Sequence, residues 1–187
     1  MRDALLAAVI RAAGTVNSRV KLQKMVYLLQ RMGFDLGYRD FVLRDFGPYS
    51  AELASTVDFV SRNHLVRETP SHNKNDLGEA YVQYSYQTHE RHNSVLAGLL
   101  QATFPVSANK LGGLAQQMAG QNTRALEVAA TAVLLRDEMG IIDEDQLWAQ
   151  VAQRKGHLKD RFPQAKKLLA KWDAAGLLTR QEPGPEA

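Results

Sequence analysis

Cysteine is absent from the 187 residues of this sequence. Its absence excludes disulfide bonds, thiolate nucleophiles and cysteine metal ligands. A chain of this size buries roughly 70% of its unfolded surface and needs no covalent cross-link to fold. The lack of cysteine is compatible with a reducing compartment, and together with the missing signal peptide and membrane span described next it leads us to expect a cytoplasmic protein.

The sequence also has no long hydrophobic run. The apolar stretch Ala4–Ile10 lies between Asp3 and Arg11, which makes it too short for the core and cleavage site of a signal peptide. No segment approaches the roughly 20 consecutive apolar residues that cross a bilayer. We therefore expect no membrane partner.

Catalytic motifs are missing as well. There is no glycine-rich phosphate loop and no nucleophile elbow, which argues against kinase, dehydrogenase and serine hydrolase activities. His89 and His92 are three residues apart, but no third or fourth ligand follows at a spacing typical of a metal site. We therefore predict no enzymatic activity, no cofactor and no metal site.

The sequence does contain an ordinary globular composition, with 45% hydrophobic and 23% charged residues, which disfavours disorder. The net charge of +3 is unevenly distributed. The segment Arg124–Asp145 holds six acidic and two basic residues, whereas Arg154–Arg180 holds eight basic and two acidic ones. Because clustered cations attract phosphate, the second segment is the best candidate for nucleic-acid contact, through Lys155, Lys159, Lys166 and Lys167.

Apolar periodicity predicts helices in the first third of the chain. One covers Asp3–Ala13, a second begins after the capping residue Ser18 and ends near Gly33, and a third covers Ala51–Arg62 after the cap Ser50. A hairpin is predicted next. Its strands are Leu65–Arg67 and Tyr81–Gln87, and its long tip is the polar stretch Pro70–Gly78.

Beyond His89 the chain is predicted to be wholly helical. Thr123 and Asp143 are expected to cap two of these helices. In the basic segment, the helical spacing of the large apolar residues favours a core position over nucleic-acid contact. These residues are Phe162, Leu168, Leu169 and Trp172, and the helices are expected near 91–102, 109–118, 124–139, 144–154 and 164–175.

A short extended run, Phe41–Leu43, is also predicted between the second and third helices. This order of elements, helix, helix, short strand, helix and hairpin, is that of a winged-helix unit. We therefore predict a mainly α fold with a small antiparallel β-hairpin. A winged-helix-like N-terminal unit, residues 1–88, is expected to pack on a C-terminal helical unit, residues 89–180. Residues 181–187 include two prolines and are predicted to be a flexible tail.

The segment Lys21–Ser50 carries the strongest signal for a binding site. Lys21 and Lys24 lie one helical turn apart, so with Tyr27 they form either a recognition surface or an ordinary solvated helix face. Pro48 restricts the backbone on both sides, so a sharp turn over Phe46–Ser50 is predicted, which either redirects the chain or shapes a groove. The predicted partner-binding residues are Lys21, Lys24, Tyr27, Tyr38, Gly47, Pro48, Tyr49 and Glu52.

The chain resembles the YwgA-like proteins and the related Panacea domain of SocA-like antitoxins. The more specific part of the resemblance is Lys21-Leu22-Gln23-Lys24 with Tyr27, followed by Phe46-Gly47-Pro48-Tyr49-Ser50 and Glu52-Leu53. A more diffuse part includes Leu126-Glu127, Ala129, Ala130, Thr131, Lys155, Phe162, Ala165 and Leu177-Leu178. The resemblance implies a small bacterial protein without enzymatic activity, in which Panacea relatives neutralise toxins by direct contact.

Two functions follow from these observations. The favoured hypothesis is a non-enzymatic protein-binding module that blocks a toxin or defence effector encoded nearby. The alternative is a DNA-binding regulator that docks the helix Ala51–Arg62 in the major groove, with His72 and Lys74 of the hairpin touching the backbone. That helix has Arg62 as its only cation beside two acidic residues, which is unfavourable for binding a groove.

Overall fold

The computed structural model describes residues 1–74 and 78–178. The predicted tail and the centre of the predicted hairpin tip lie outside these ranges. The first eight elements are α1 (Arg2–Ala13), β1 (Val16–Asn17), α2 (Arg19–Arg31), β2 (Val42–Arg44), β3 (Gly47–Tyr49), α3 (Ala51–Arg62), β4 (Val66–Lys74) and β5 (Ala80–Thr88). A 3-10 turn (Glu90–His92), α4 (Asn93–Thr103), α5 (Ala108–Ala119), α6 (Thr123–Met139), α7 (Glu144–Lys155), a second 3-10 turn (Gly156–Arg161) and α8 (Phe162–Ala174) follow.

The predicted fold class is confirmed, because the protein is mainly α-helical with a small antiparallel sheet. The sheet has the order β1-β5-β4. Its first strand was not predicted, since two residues carry no periodic signal. Val16 in β1 is fully buried and pairs with Tyr86 of β5, so the strand between the first two helices joins the hairpin, as in a winged helix.

The hairpin is longer than predicted. Strand β4 does not end at Arg67 but continues through Pro70 to Lys74, each residue paired with β5. Much of the expected polar tip is therefore a strand. Because β4 is the edge of the sheet, proline and polar side chains are tolerated there. The strand therefore pairs with β5 through backbone hydrogen bonds although it has no apolar face.

The expected turn over Phe46–Ser50 is also displaced. Asp45 and Phe46 form the turn, and Gly47–Tyr49 is strand β3, which pairs antiparallel with β2. Pro48 lies opposite Leu43 in this two-stranded hairpin, where its missing N–H costs no sheet hydrogen bond.

Side-chain caps begin four of the α-helices, α2, α3, α6 and α7. Ser18, Ser50 and Asp143 accept hydrogen bonds from backbone N–H groups of the first turns of α2, α3 and α7, as predicted. The prediction for Thr123 is wrong, since Asn122 caps α6 by accepting from two N–H groups. The signal was one residue away, and asparagine caps at least as well as threonine.

Helix α6 lies in the centre of the hydrophobic core. All its residues from Ala125 to Leu135 are buried, and it packs against α2, α7 and α8. Helix α1 packs against α3, α4 and α5. Trp172 is 1% exposed and Leu168 and Leu169 are also buried, which confirms their predicted core positions. In the described ranges no helix is both long and apolar enough to cross a membrane.

Candidate functional site

Helix α2 holds the segment around Pro48 with two side chains. The Gln23 amide donates to the Ser50 carbonyl and accepts from the Ser50 N–H, both at 2.9 Å. The Gln23 side chain thereby makes the two hydrogen bonds to the Ser50 backbone that a neighbouring strand would otherwise make. The Lys24 ammonium donates to the Pro48 carbonyl at 2.6 Å. The segment that follows the turn is therefore fixed to the core by polar groups.

Helix α6 packs against the same segment from the other side. Gly47 has a φ of +83°, and a Cβ atom there would lie 2.5 Å from Thr131 Oγ1. Only glycine fits both the left-handed backbone and this close approach. Thr131 donates in turn to the Glu127 carbonyl at 2.8 Å, so its hydroxyl is held in place.

A buried ion pair completes the arrangement. Lys155 of α7 and Glu127 of α6 are 1% and 4% exposed. The distance from Lys155 Nζ to Glu127 Oε1 is 2.6 Å. Lys155 also donates to the Asp45 carbonyl. We call Lys24, Glu127 and Lys155, with the carbonyls of Asp45 and Pro48, the buried lysine network. It joins parts of the chain that are 110 residues apart.

The network contains two lysines but one carboxylate. Glu127 pairs with Lys155, so the charge of Lys24 has no carboxylate of its own to balance it. Burial lowers the pKa of Lys24 to about 7, with Glu127 acting in the opposite direction and Lys155 adding to the decrease. Burial penalises a charge that has no full counter-charge. Near neutral pH the Lys24 ammonium group therefore loses a proton readily. The resulting neutral amine can still donate a hydrogen bond to the Pro48 carbonyl.

An open groove lies above the network. It consists of two cavities of about 370 and 640 Å³ that share Arg19, Val20 and Phe46. Lys24 lines the first cavity and Glu127 the second. We call these two cavities the Phe46 groove. Further residues of the first cavity are Leu22, Tyr49, Leu53, Ala54 and Val57, and further residues of the second are Tyr81, Val82, Tyr84, Arg124 and Arg161.

Phe46 is the most unusual residue of the groove. Its side chain is 60% exposed, although the adjacent Gly47 and Pro48 are buried. On the groove's rim, Arg44 lies 4.4 Å from the centre of the Tyr49 ring. An exposed aromatic ring next to an apolar cavity can receive an apolar side chain of another molecule.

The structure separates the predicted partner-binding residues. The expectation that Lys21 and Lys24 lie on an exposed helix face is wrong, because they are 5% and 2% exposed. Lys21 instead donates to the Ala119 carbonyl at the end of α5, at 2.8 Å. The lysine stems pack in the core while the ammonium groups bind carbonyl oxygens that the sequence pattern cannot reveal.

The predicted tyrosines differ in exposure. Tyr27 and Tyr38 are 5% and 2% exposed, so neither ring offers a contact surface. Tyr27 packs edge-on against Phe41 at 5.2 Å, and burial raises the pKa of Tyr38 to about 12. Tyr49 is half-buried in the groove, and Glu52 is exposed and pairs with Arg2 at 2.7 Å, outside the groove.

Of the four lysines predicted to contact nucleic acid, three are exposed and one is buried. Lys155 is buried in the network, so its prediction as a phosphate contact is wrong. Lys159, Lys166 and Lys167 are exposed, and Lys166 lies 4.8 Å from the centre of the Trp148 ring. Lysines of one basic segment thus have opposite environments, because α7 and α8 each turn one face inward.

Three residues of the candidate site were not predicted as site residues: Gln23, Phe46 and Glu127. The signal for Glu127 was present, since it is the single acidic residue in the apolar run Ala125–Leu135 and a lone charge there implies a buried partner. In the described ranges, no group of three or more histidine or acidic side chains is placed to hold a metal.

Comparison with protein-family models, curated proteins and solved structures finds no match to this chain. The resemblance to YwgA-like and Panacea proteins therefore stays a prediction. Its two parts nevertheless meet in space. Lys24, Gly47 and Pro48 come from the first part, and they contact Glu127, Thr131 and Lys155 of the second or share the network with them.

The close approach at Gly47 predicts a specific loss of stability. Alanine at a positive φ costs about 1–2 kcal/mol, and the contact with Thr131 adds about 1–3 kcal/mol. We expect Gly47→Ala to lower the free energy of unfolding in urea by the sum of both. Gly140→Ala is the control, since Gly140 has a left-handed backbone with a φ of +60° and open space around it. Equal losses in the two variants would contradict the close approach.

The buried ion pair predicts a second difference. Lys155→Met leaves the Glu127 carboxylate without its ion-pair partner in the core, so we expect it to lower the free energy of unfolding by about 3–5 kcal/mol. The double variant Glu127→Gln/Lys155→Met should recover part of this loss. Lys159→Met, at an exposed position of the same basic segment, should change stability by less than about 0.5 kcal/mol. Similar effects of Lys155→Met and Lys159→Met would rule out the network.

The lowered pKa of Lys24 predicts a pH dependence of stability. Between about pH 7 and the usual pKa of lysine, the unfolded state binds a proton that the folded state lacks, so stability increases with pH by up to about 1.4 kcal/mol per unit. We expect the wild type to gain stability relative to Lys24→Met as the pH rises from 7 to 9.5. Urea unfolding at several pH values measures this difference, and a difference that stays constant or decreases contradicts the assignment.

Proposed function

We propose that this protein acts in the cytoplasm as a non-catalytic binding module, which neutralises a toxin or defence effector by covering part of its surface. The Phe46 groove is the proposed contact. The observation that carries this proposal is the exposed Phe46 ring, held beside an apolar cavity by a turn that is fixed to the buried lysine network. A rigid aromatic anchor of this kind loses little entropy on binding.

The groove also defines the chemistry of the partner. The apolar part of the cavity next to Phe46 includes Val20, Leu53 and Val57 and the rings of Phe46 and Tyr49, so an apolar side chain of the partner would fit there. Arg44 and Arg124 on the rim are exposed, and neither has a carboxylate within 4 Å among the described residues. The partner segment is therefore expected to carry acidic residues beside its apolar anchor.

The resemblance stated above supports the same function. Its implied activity is the neutralisation of toxins by direct contact, and its residues lie in the network that supports Phe46. Structural residues that hold a binding loop are a common basis for a family motif, because the loop's contact residues depend on a fixed backbone. In this protein the buried residues would maintain the geometry, and Phe46 and the groove would bind.

The alternative function, a DNA-binding regulator, is favoured by one observation. The sheet order β1-β5-β4 and the long hairpin correspond to a winged helix, and His72 and Lys74 are exposed on that hairpin. The exposed face of α3 is less suitable, since Glu52 is exposed there and Asp58 forms an ion pair with Arg19. Protein binding therefore remains the better-supported proposal.

Substitution of Phe46 tests the proposed contact. The probe is the purified product of the open reading frame adjacent to the gene, titrated against the protein by calorimetry. We expect Phe46→Ser to weaken binding by about thirtyfold, the loss typical of a central aromatic contact. Phe59→Ser is the matched control, because Phe59 is 49% exposed on α3 and lies outside the groove.

The outcomes separate the two functions. A neighbouring product that inhibits growth, binds the wild type and is released by Phe46→Ser supports the proposal. A neighbour that neither binds nor inhibits growth contradicts it, and equal losses in both phenylalanine variants place the contact elsewhere. Retardation of promoter DNA in a gel at moderate salt, without any protein contact, would favour the regulator instead.

A further inference from the structure

A second cavity, remote from the Phe46 groove in its lining residues, lies where α1 ends and the hairpin returns to the helical half. Its volume is about 870 Å³. The end of α1, the turn after α3 and the 3-10 turn Glu90–His92 contribute to its wall. The charged and titratable residues that line it are Arg11, His64, Arg67, His89, Glu90 and Arg91. We call this cavity the arginine–histidine pocket.

Within the described part of the chain, the three arginines of the pocket form no ion pair. Among the residues described, no carboxylate lies within 4 Å of the guanidinium nitrogens of Arg11, Arg67 or Arg91. Arg67 lies 3.4 Å from His89 Nδ1, and Arg91 Nε donates to His92 Nε2 at 3.1 Å. Arg67 and Arg91 thus contact imidazoles, which do not neutralise their positive charge.

Two further observations indicate an unsatisfied donor and an excess of positive charge around the pocket. Arg11 Nε is buried and has no hydrogen-bond partner within the described ranges, although a buried guanidinium N–H group normally has one. Desolvation, followed by the positive charges of Arg67 and Arg91, lowers the pKa of His89. Elsewhere in the protein, arginines such as Arg2, Arg19 and Arg39 are paired with carboxylates.

Unpaired arginines around one concave space are suited to phosphate. The planar guanidinium group matches two phosphate oxygens at once, and three such groups exceed the need of a single phosphate ion. The volume lies in the range of small-molecule sites. Thr15 and Asn93 add polar groups to the wall. We propose that the arginine–histidine pocket binds a small molecule that carries a pyrophosphate group, such as a nucleoside diphosphate or triphosphate.

Calorimetric titration with pyrophosphate and with ATP tests this proposal on the full-length protein. We expect saturable binding of both probes, and each of the variants Arg67→Gln and Arg91→Gln should weaken it by about tenfold or more, the loss expected for a charge-assisted hydrogen bond. Both arginines are exposed, so the variants should keep the wild-type melting temperature. Arg39→Gln, at an exposed arginine outside the pocket, is the matched control.

Three results would overturn the proposal. The first is the absence of binding at millimolar pyrophosphate and ATP. The second is an equal loss in Arg39→Gln and in the pocket variants, which indicates non-specific charge attraction. The third is tighter binding of a 16-base-pair duplex that depends on Arg67 and Arg91, which would assign the pocket to a nucleic-acid backbone. None of these arginines lines the Phe46 groove, so this test is independent of the proposed function.

Discussion

The contact between Lys155 and Glu127 is the interaction on which the candidate binding site depends. Removing two charges from water costs several kcal/mol per ion, and their attraction offsets this cost only when the pair is close and further hydrogen bonds are made. The 2.6 Å separation and the additional bond from Lys155 to the Asp45 carbonyl both act in this direction. The ion pair therefore needs the hairpin turn in its observed place, and the turn needs the ion pair.

The same constraint explains why Phe46 faces solvent. On one side of it, the Asp45 carbonyl is bound by Lys155, and on the other side the Pro48 carbonyl is bound by Lys24. Gly47 between them fits against Thr131 with no room for a side chain. With the backbone fixed at these points, the Phe46 ring lies at the surface and is 60% exposed, so its apolar surface is available to another molecule.

Much of the fold could be predicted because its signals are local. The cap Ser50 and the helix Ala51–Arg62 agree with the prediction, since capping and helical periodicity act over three or four residues. The site could be predicted only in part. The predicted partner-binding residues included Gly47 and Pro48 but not the adjacent Phe46. The exposure of Phe46 depends on which carbonyls the distant lysines bind, and no local pattern indicates this.

The sequence by itself determined which segments are helical, where most of them begin, and that charges are unevenly spread along the chain. Only the tertiary structure decided the role of each charge. Lys155 and Lys159 lie in one basic segment, yet one is buried against Glu127 and the other is exposed. The reason is that a lysine's environment is set by partners in other elements, here up to 110 residues away, and no local pattern encodes them.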